Sequence, residues 1–259
     1  MTRTISFSKY QSTGNDFILI DNRKGEFPVN NNSLIHKLCD RKFGIGADGL
    51  ILLETSKITD FTMQYYNANG SLGSFCGNGA RAIVSFAQSL GIIKHSCSFE
   101  AYDGQHEALI SEDQIQIKMA DVQNGRQLLN GTFIDTGSPH YIEFVESLDN
   151  MDVVLEGRIV RNSAAFEPDG SNINYVEKIG SDKIRVRTYE RGVEDETLSC
   201  GTGVTASAIA AANAGMDKNI SINTLGGDLQ VWFEQNDNGY HNIWLEGPTE
   251  IVFSGKIEI

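Results

Sequence analysis

Two cysteines stand in the same local sequence, 124 residues apart, from residue 76 to residue 200. Cys76 opens the segment C-G-N-G-A-R, Cys200 opens C-G-T-G-V-T, and both continue with small and apolar residues. Each cysteine precedes a predicted helix, whose free N–H groups and partial positive charge stabilise a thiolate. The glycines let a small anion approach the backbone N–H groups closely. The sequence therefore supplies, twice, a candidate thiolate base beside a carboxylate-binding turn.

Inversion of a carbon atom next to a carboxylate is a reaction that needs such a pair. One group removes a proton from one face of the carbon, and a second group delivers a proton to the other face. Two groups of similar pKa do this in both directions. We therefore expect Cys76 and Cys200 to be the acid–base pair of a racemase or epimerase. The N–H groups would hold the negative charge that develops on the substrate carboxylate.

A cysteine in a folded protein is more often a small buried hydrophobe than a catalyst. This is our interpretation of Cys39 and Cys97, which have no comparable neighbours. For Cys76 and Cys200, the repeated context favours catalysis. Glycine turns before helices also bind phosphates, but the P-loop pattern G-x-x-x-x-G-K-[ST] is absent from the sequence.

The predicted elements around the two cysteines repeat as well, with strand-like runs, a glycine turn and then a helix. The helices are predicted at Ala80–Leu90 and Val204–Ala214, each followed by a glycine. Both are too apolar for an exposed amphipathic helix, so we expect each to be buried against its own sheet. The predicted strands are Phe17–Asp21, Gly49–Glu54, Phe61–Tyr66, Ile115–Met119, Tyr141–Val145, Ile173–Val176, Ile184–Tyr189, Leu229–Glu234 and Ile243–Glu246, with one more in the tail, 251–259. A repeat close to half the chain length predicts two copies of one domain.

Composition narrows the class of protein further. The net charge of −13 argues against a nucleic-acid partner, since binding to phosphates needs a basic surface. No run approaches the ~18 apolar residues of a membrane span, and the first seven residues contain no apolar run typical of a signal peptide. The cysteines form no C-x-x-C pair, so we expect reduced thiols in the cytoplasm.

Two other kinds of site are not favoured. The segment Gly44–Gly49 matches G-x-G-x-x-G, but the residues that follow read as a strand, whereas a dinucleotide site requires a helix there. We expect a loop with close backbone approach. The five histidines show no metal-ligand spacing, and we expect no metal. A cysteine hydrolase would leave the second C-G-x-G unexplained.

Further motifs extend the pattern along nearly the whole chain. They are G-N-D-F at residues 14–17, D-R-K-F-G-I-G-A-D at 40–48, N-A-N-G-S at 67–71, Pro139-His140, and E-R-G at 190–192 leading to Glu196-Thr197. With the two C-G-x-G segments, the chain resembles the diaminopimelate epimerase family. Proline and hydroxyproline racemases share the paired cysteines, but their first motif usually has His at the position of Asn78.

The resemblance implies roles for particular residues. Cys76 and Cys200 would be the acid–base pair. The residues expected to bind the carboxylate and amino group at the reacting carbon are Gly77, Asn78, Gly201 and Thr202. Those expected to hold the distal amino-acid end are Asn15, Asn67, Asn172, Glu190 and Arg191. His140 is expected near the thiols, either in support of them or as a structural hydrogen-bonding residue.

The resemblance also implies a fold, a substrate and a setting. The expected fold is α/β (α+β), with two pseudo-symmetric domains, each a mixed β-sheet curled into a barrel around a central helix. The expected domains are 1–119, to which a C-terminal strand at 249–259 returns, and 120–248. The reaction would interconvert LL- and meso-2,6-diaminopimelate without pyridoxal phosphate or any other cofactor, in lysine and peptidoglycan precursor biosynthesis. The family suggests a homodimer.

Three positions depart from the family's pattern. Ser138 stands where Asn is frequent, Gly49 stands where Gln is frequent, and the segment 192–197 is one residue longer than usual. The substrate contacts expected at the first two positions are therefore open. A proline-type racemase and a non-catalytic small-molecule binder of the same fold are the alternative interpretations.

Overall fold

The computed structural model describes residues 3–112 and 114–259. Met1 and Thr2, part of the segment predicted to lack a signal peptide and of the predicted first domain, lie outside the described residues, as does Asp113. The chain divides into two compact units, residues 1–117 with 247–259 and residues 118–246. The independent domains predicted at 1–119 and 120–248 stay a prediction.

The elements follow one another in this order. The first are β1 (Thr4–Ser12), β2 (Asn15–Asp21), α1 (Asn32–Cys39), β3 (Gly49–Glu54), β4 (Phe61–Asn67), α2 (Gly77–Ser89), β5 (Ser96–Ala101), β6 (Gly104–Ser111) and β7 (Gln114–Lys118). Next come β8 (Val122–Gln123), β9 (Arg126–Leu128), β10 (Gly131–Asp135), β11 (Pro139–Phe144), α3 (Val153–Arg161), a 3₁₀ turn (Ala164–Phe166), β12 (Asn172–Lys178), β13 (Lys183–Glu190) and β14 (Asp195–Thr197). The last are α4 (Gly201–Asn213), β15 (Asn219–Thr224), β16 (Gly227–Asn236), β17 (Gly239–Pro248) and β18 (Glu250–Glu258).

In the first unit, a mixed sheet packs between two helices. Strand β1 runs antiparallel to both β2 and β18, β2 is parallel to β3, β3 is antiparallel to β4, and β4 is parallel to β5. Leu50 and Leu52 of β3 pack in the cluster beside α1, whereas Ile51 lies against α2. Because β3 is covered on both faces, its sequence is an unbroken apolar run rather than an alternating one.

The second unit repeats this pairing. Strand β10 is antiparallel to β11, β11 is parallel to β12, β12 is antiparallel to β13, and β13 is parallel to β15. Helix α4 packs on these strands as α2 packs on β1–β4, and α3 lies beside a separate cluster that contains Tyr141, Tyr175 and Tyr189. The predicted mixed α/β class with a repeated unit is confirmed. Closure of each sheet into a barrel stays a prediction.

The predicted helix starts were wrong by three residues. Helices α2 and α4 begin at Gly77 and Gly201, so each catalytic candidate is itself the N-cap residue. Glycine is a poor helix former, which is why its presence suggested a turn, but the buried faces of both helices offset that cost. The predicted last residues, Leu90 and Ala214, are the C-cap residues, one position past the observed ends. The glycines predicted to follow, Gly91 and Gly215, have left-handed φ angles of 72° and 90°.

The remaining backbone predictions concern loops and the tail. Residues 40–48 form a loop before β3, and a side chain at Gly44 would overlap the carbonyl oxygens of α1, in agreement with the predicted close approach. The tail strand β18 pairs with β1, in register from Thr4–Glu258 to Gln11–Glu250 with one shift. Across residues 3–112 and 114–259, no helix has the length and apolar character needed to cross a membrane.

Candidate active site

The first cysteine caps helix α2 with its own side chain. Cys76 has extended backbone angles, and its Sγ accepts a hydrogen bond from the Gly79 N–H at 3.4 Å. A side chain at residue 79 would meet the ends of Ile51 and Met63 at 2.9 and 3.2 Å, so glycine lets the first turn of α2 sit against the sheet. The sulfur therefore lies where the free N–H groups and partial positive charge of the helix stabilise negative charge.

Two predicted binding residues lie beside this cysteine. Asn78 is buried in the first turn of α2, and its Nδ2 donates to Oδ1 of Asn15 at 3.3 Å. The same oxygen lies 3.8 Å from the Sγ of Cys76. Asn15 in turn donates to Oδ2 of Asp48 at 2.8 Å, which fixes the orientation of its amide. The structure thus brings Asn15, Cys76 and Asn78 together.

An ionic cluster anchors the start of β2, next to Asn15. Arg41 donates to both carboxylate oxygens of Asp16, at 2.9 and 2.8 Å, and Lys9 lies 2.8 Å from the same carboxylate. Burial alone would raise the pKa of Asp16, but the hydrogen bonds from Arg41 and Lys9 hold it well below its usual range. The carboxylate is therefore ionised, and the cluster holds β2 in a fixed position for the site.

A fully buried arginine lies one turn further along α2. The Nη2 of Arg81 donates to Oδ1 of Asn78 at 2.9 Å and to Oγ1 of Thr13 at 3.2 Å, and Nε lies 3.5 Å from the carbonyl oxygen of Pro248. Its Nη1 has no hydrogen-bond partner in the described chain. Burial lowers the pKa of Arg81 to about 10, while the charge of Cys76 acts in the opposite direction. The guanidinium is therefore positively charged at neutral pH.

The other predicted binding residue of this unit, Asn67, lies at the end of β4. Its side chain donates to Oγ of Ser71 at 3.2 Å, and its backbone faces Gly49 across the β3–β4 pair. A side chain at Gly49 would overlap the ring of Tyr65, with the Tyr65 hydroxyl oxygen at 3.0 Å. The space beside Gly49 is thus filled by Tyr65, which accounts for a residue without a side chain at this position.

The second cysteine caps helix α4 differently. Cys200 has nearly the same backbone angles as Cys76, but its side chain makes no capping bond to the helix. Instead, its Sγ lies 3.5 Å from Oγ1 of Thr202. The backbone carbonyl of Thr202 accepts a hydrogen bond from Oγ1 of Thr136 at 3.0 Å. The predicted pair Gly201 and Thr202 thus forms the first turn of α4, beside the sulfur.

A buried hydrogen-bond chain leads to this threonine. Nδ2 of Asn174 lies 3.1 Å from Nδ1 of His140, and Nε2 of His140 lies 2.9 Å from Oγ1 of Thr202. Burial lowers the pKa of His140 to about 3, so the ring is neutral. An amide N–H can only donate, so Nδ1 accepts, Nε2 carries the proton, and the Thr202 hydroxyl is left to donate to Cys200. His140 is therefore connected to the Cys200 thiol indirectly, by hydrogen bonds that pass through the Thr202 hydroxyl.

Two further predicted residues, Asn172 and Arg191, meet at the start of β12. Asn172 donates to Oγ of Ser138 and to the carbonyl of Pro139, each at 3.1 Å, and its Oδ1 accepts from the backbone N–H of Arg191 at 2.9 Å. The Arg191 guanidinium donates to the carbonyl oxygen of Asp169 at 3.1 Å. Ser138, one of the departures from the family pattern, thus accepts a hydrogen bond from Asn172.

The longer segment between Arg191 and Cys200 forms a hairpin loop. Glu190, the last residue of β13, faces Asp195 at the start of β14. The loop turns through Gly192 and Glu194, whose φ angles of 92° and 60° are left-handed. Arg161 and Tyr189 hold the Glu194 carboxylate at 3.0 and 3.2 Å. The extra residue is accommodated in this loop, away from the register of the strands.

The remaining cysteines behave as predicted. Burial raises the pKa of both Cys39 and Cys97 to about 12, so neither forms a thiolate at neutral pH.

Within residues 3–112 and 114–259, no group of three His, Cys, Asp or Glu side chains is arranged to hold a metal ion.

Sequence reasoning missed three residues that shape these surroundings: Tyr65, Arg81 and Asn174. The signal for Arg81 was a basic residue inside an otherwise apolar helix, because arginine is rarely fully buried unless it interacts with a partner. Asn174 lies two residues after Asn172 on one strand, so the period of a β-strand puts both on one face. Nothing in the sequence pointed to Tyr65.

Comparison with known sequences gives a consistent family. The model of the diaminopimelate epimerase family matches residues 7–125 and 132–252. The diaminopimelate epimerase of Flavobacterium psychrophilum is 52% identical over 252 residues, which cover 96% of this chain and 98% of the relative. That of Chlorobaculum tepidum is 43% identical over 258 residues, which cover 95% of this chain and 98% of the relative.

Solved structures share the fold at much lower identity. A phenazine biosynthesis protein of the PhzF family from Bacillus anthracis has a TM-score of 0.77 at 15% identity, over 99% of this chain and 100% of the other. A hydroxyproline epimerase from Agrobacterium vitis, with bound trans-4-hydroxy-L-proline, has a TM-score of 0.72 at 12% identity, over 99% and 93% of the two chains. At these identities, the likeness concerns the fold alone.

Proposed function

The chain belongs to the diaminopimelate epimerase family, and on that premise we propose that it interconverts LL- and meso-2,6-diaminopimelate. One observation carries the mechanism: each of the two repeated units has a cysteine at the N-cap of a buried helix, at Cys76 and at Cys200. Two thiols in equivalent positions suit a reaction that moves one proton off a carbon and another proton on.

In the proposed reaction, one sulfur is a thiolate and the other is a thiol. The thiolate removes the α-proton of the substrate, and the electron pair of the broken C–H bond is left on the carbon and its carboxylate. The other thiol then gives its proton to the other face of the carbon. The two sulfurs have exchanged their protonation states, so the reverse reaction uses the same groups in the opposite order.

The helix N-termini supply the anion binding in this proposal. Gly77 and Asn78 in one unit, and Gly201 and Thr202 in the other, offer N–H groups to the α-carboxylate and polar side chains to the α-amino group. Negative charge that develops on the carboxylate is stabilised by these donors and by the helix ends. Removal of one such donor in a comparable oxyanion hole costs about 2.7–4 kcal/mol of transition-state stabilisation.

The distal amino-acid end of the substrate needs its own partners. We assign them to Asn15, Asn67, Asn172, Glu190 and Arg191, all polar residues at the ends of strands or directly after them. An arginine fork binds a carboxylate through two parallel hydrogen bonds, and carboxylate or amide oxygens accept from an ammonium group. These residues distinguish a substrate with two amino-acid ends from proline.

His140 has a supporting part in the proposal. Because its ring is neutral and its hydrogen bonds go to Asn174 and Thr202, it does not exchange protons with the substrate. It orients the Thr202 hydroxyl toward Cys200. No cofactor or metal ion takes part in the proposed steps.

The setting of the protein is proposed with the function. The resemblance to the family favours a cytoplasmic homodimer that acts in lysine and peptidoglycan precursor biosynthesis. The net charge of −13 agrees with a small-molecule substrate and with the absence of a nucleic-acid partner. Light scattering during size-exclusion chromatography tests the dimer, and a mass of one chain, 28.5 kDa, would contradict it.

Proton NMR in deuterated, reducing buffer tests the reaction. We expect the α-proton signal of LL-diaminopimelate to disappear and meso product to form without added cofactor, whereas L-proline and L-hydroxyproline keep their α-protons. Cys97→Ser is the matched control variant, since Cys97 is buried away from the solvent, and its rate should match that of the native protein.

The other outcomes are equally informative. Exchange with an imino acid in place of diaminopimelate would move the protein to the racemase alternative and keep the two-thiol mechanism. The absence of exchange with all three compounds, from folded and reduced protein, would overturn the proposal in favour of a non-catalytic binder.

A further inference from the structure

The second turn of α2 contains a buried positive charge, Arg81, whose described hydrogen-bond partners are all neutral. Arg81 is fully buried, and its partners are a hydroxyl, an amide oxygen and a backbone carbonyl, with one terminal nitrogen left without a partner. Among residues 3–112 and 114–259, it forms no ion pair with a carboxylate. A buried cation in this state is unfavourable unless a negative charge lies near it.

Cys76 provides that negative charge when it is ionised. Its thiolate interacts with the Arg81 guanidinium through space and raises the pKa of the arginine against the effect of burial. The interaction is reciprocal, so the guanidinium stabilises the thiolate to the same extent. Asn78 links the two groups, because it accepts from Arg81 and lies in the same helical turn as the sulfur.

The corresponding place in the second unit holds no charge. In the alignment of the two C-G-x-G segments, Arg81 corresponds to Thr205, which is fully buried and donates to the carbonyl oxygen of Gly201 at 2.9 Å. The Cys200 sulfur faces the hydroxyl of Thr202 and, behind it, the neutral ring of His140. A neutral donor stabilises a thiolate less than a buried cation does.

Other charged groups lie near each turn. Around Cys76, the nearby carboxylates of Asp16 and Asp48 are paired with Lys9 and Arg41, and the His106 ring stacks on Phe75 at 4.0 Å. Near Cys200, Glu190 and Arg191 follow one another at the end of β13, and the charge of Arg191 reaches His140. The charges near Cys76 are paired with each other, and Glu190 and Arg191 are only half-buried, so all of them are screened more than a fully buried arginine is.

From these contacts, we infer that the free protein keeps its negative charge on Cys76 and its catalytic proton on Cys200, with Arg81 as the positioning residue that sets this order. The inference deepens the proposed function, on which its catalytic meaning rests. Cys76 then removes the first proton from the isomer that binds the resting form. The opposite isomer needs the proton to be redistributed between the two sulfurs before it reacts.

Site-resolved alkylation tests the inference without any substrate. The reduced protein is treated briefly with iodoacetamide across a series of pH values, and peptide mass spectrometry gives the rate at each cysteine. The midpoint of each rate profile reports ionisation independently of how accessible the sulfur is. We expect the midpoint of Cys76 to lie at least about one pH unit below that of Cys200, a tenfold difference in thiolate ratio. Equal midpoints, or a lower one at Cys200, would overturn the inference.

Three variants separate charge from structure. Arg81→Met keeps most of the side-chain length without the charge, and we expect it to raise the Cys76 midpoint by about one pH unit while that of Cys200 stays in place. Arg81→Lys keeps a positive charge and should retain most of the separation. Thr205→Val alters the aligned position of the other unit and should move neither midpoint.

The result stays decisive if Arg81→Met does not fold. The native order of the midpoints is measured on unmodified protein, and Thr13→Val removes one hydrogen bond to Arg81 while it leaves the charge in place. If Arg81 acted only as a structural tie, Thr13→Val would raise the Cys76 midpoint although the charge of Arg81 is unchanged, and Arg81→Lys would raise it as well. Lack of α-proton exchange together with the expected midpoints would refute the proposed function and leave this charge order intact.

Discussion

The turns at residues 76–79 and 200–203 have almost the same backbone and very different surroundings. The N-cap angles are −124° and 112° at Cys76 and −123° and 111° at Cys200. The first sulfur accepts from a backbone N–H and interacts electrostatically with the buried guanidinium of Arg81, whereas the second faces a hydroxyl group that a neutral histidine orients. The repeated backbone sets where each sulfur lies, and the side chains around it set how readily it gives up its proton.

This difference shows how a duplicated fold can serve a reaction with two unlike steps. At any moment, one sulfur must be a base and the other an acid. If the two environments were identical, the two thiols would have the same pKa, and in the free protein the proton would lie equally on either sulfur. One arginine in place of a threonine is enough to make the pKa values of the two thiols different. This single difference matters because both positions are buried in the second turns of α2 and α4, where low local dielectric strengthens charge effects.

The largest expected effect on the reaction rate comes from replacing either catalytic cysteine, which tests whether the two turns are equally necessary. We expect Cys76→Ser and Cys200→Ser each to lower the rate of meso-diaminopimelate formation by about 10²–10⁴-fold, because a hydroxyl is a far weaker acid than a thiol. Far-ultraviolet circular dichroism should be unchanged, and Cys39→Ser serves as the control. A native rate from either catalytic variant would break the two-base scheme.

The neutral histidine of the second unit should make stability depend on pH. The pKa of His140 is about 3 in the folded protein, below the ordinary 6.5, so the unfolded chain binds the proton more readily. Stability from this group is therefore complete above pH 6.5 and is lost as pH falls from 6.5 toward 3. Between pH 6.5 and 4.5, we expect the native protein to lose roughly 2 kcal/mol more than His140→Gln in urea unfolding.

The control for this measurement is His95→Gln, because His95 is exposed in the first unit. This variant should keep the native slope of stability against pH. If His140→Gln kept the native slope as well, the histidine would carry an extra proton in the folded protein at acidic pH, and the Asn174 amide would have to turn its oxygen toward Nδ1, because both ring nitrogens of a protonated histidine donate.

The smallest expected effect concerns the free energy of unfolding, and it compares substitutions at two aligned glycines, Gly79 and Gly203. A side chain at Gly203 would lie 2.5 Å from Oδ1 of Asn174 and 3.2 Å from Cε1 of His140, whereas at Gly79 it would meet the ends of flexible apolar side chains. We expect Gly203→Ala to destabilise the protein by about 1–3 kcal/mol and to slow the reaction, and Gly79→Ala to cost less than about 1 kcal/mol. Parallel urea unfolding and rate measurements compare the two, and equal costs would show that the hydrogen-bond chain tolerates displacement.

Local sequence determined much of this protein. The repeat of C-G-x-G before two apolar runs identified both buried helices, the two candidate sulfurs and the family. The apolar run Gly49–Glu54 coincides with β3, because strong patterns survive whatever the tertiary context is. The short helix α1 and the strand β1 were missed. A helix of eight residues is marginal by itself, and tertiary packing stabilises it.

Only the tertiary structure decided the protonation of the site. Whether Arg81 has a carboxylate partner depends on the end of β17 and on the β1–β2 turn, which are distant from it in sequence. The tautomer of His140 depends on Asn174, which the parallel pairing of β11 and β12 brings beside it. Residue types and spacing name the groups that can ionise, but burial and partners set their pKa values. Burial and partners exist only in the folded chain, so the sequence alone does not determine these pKa values.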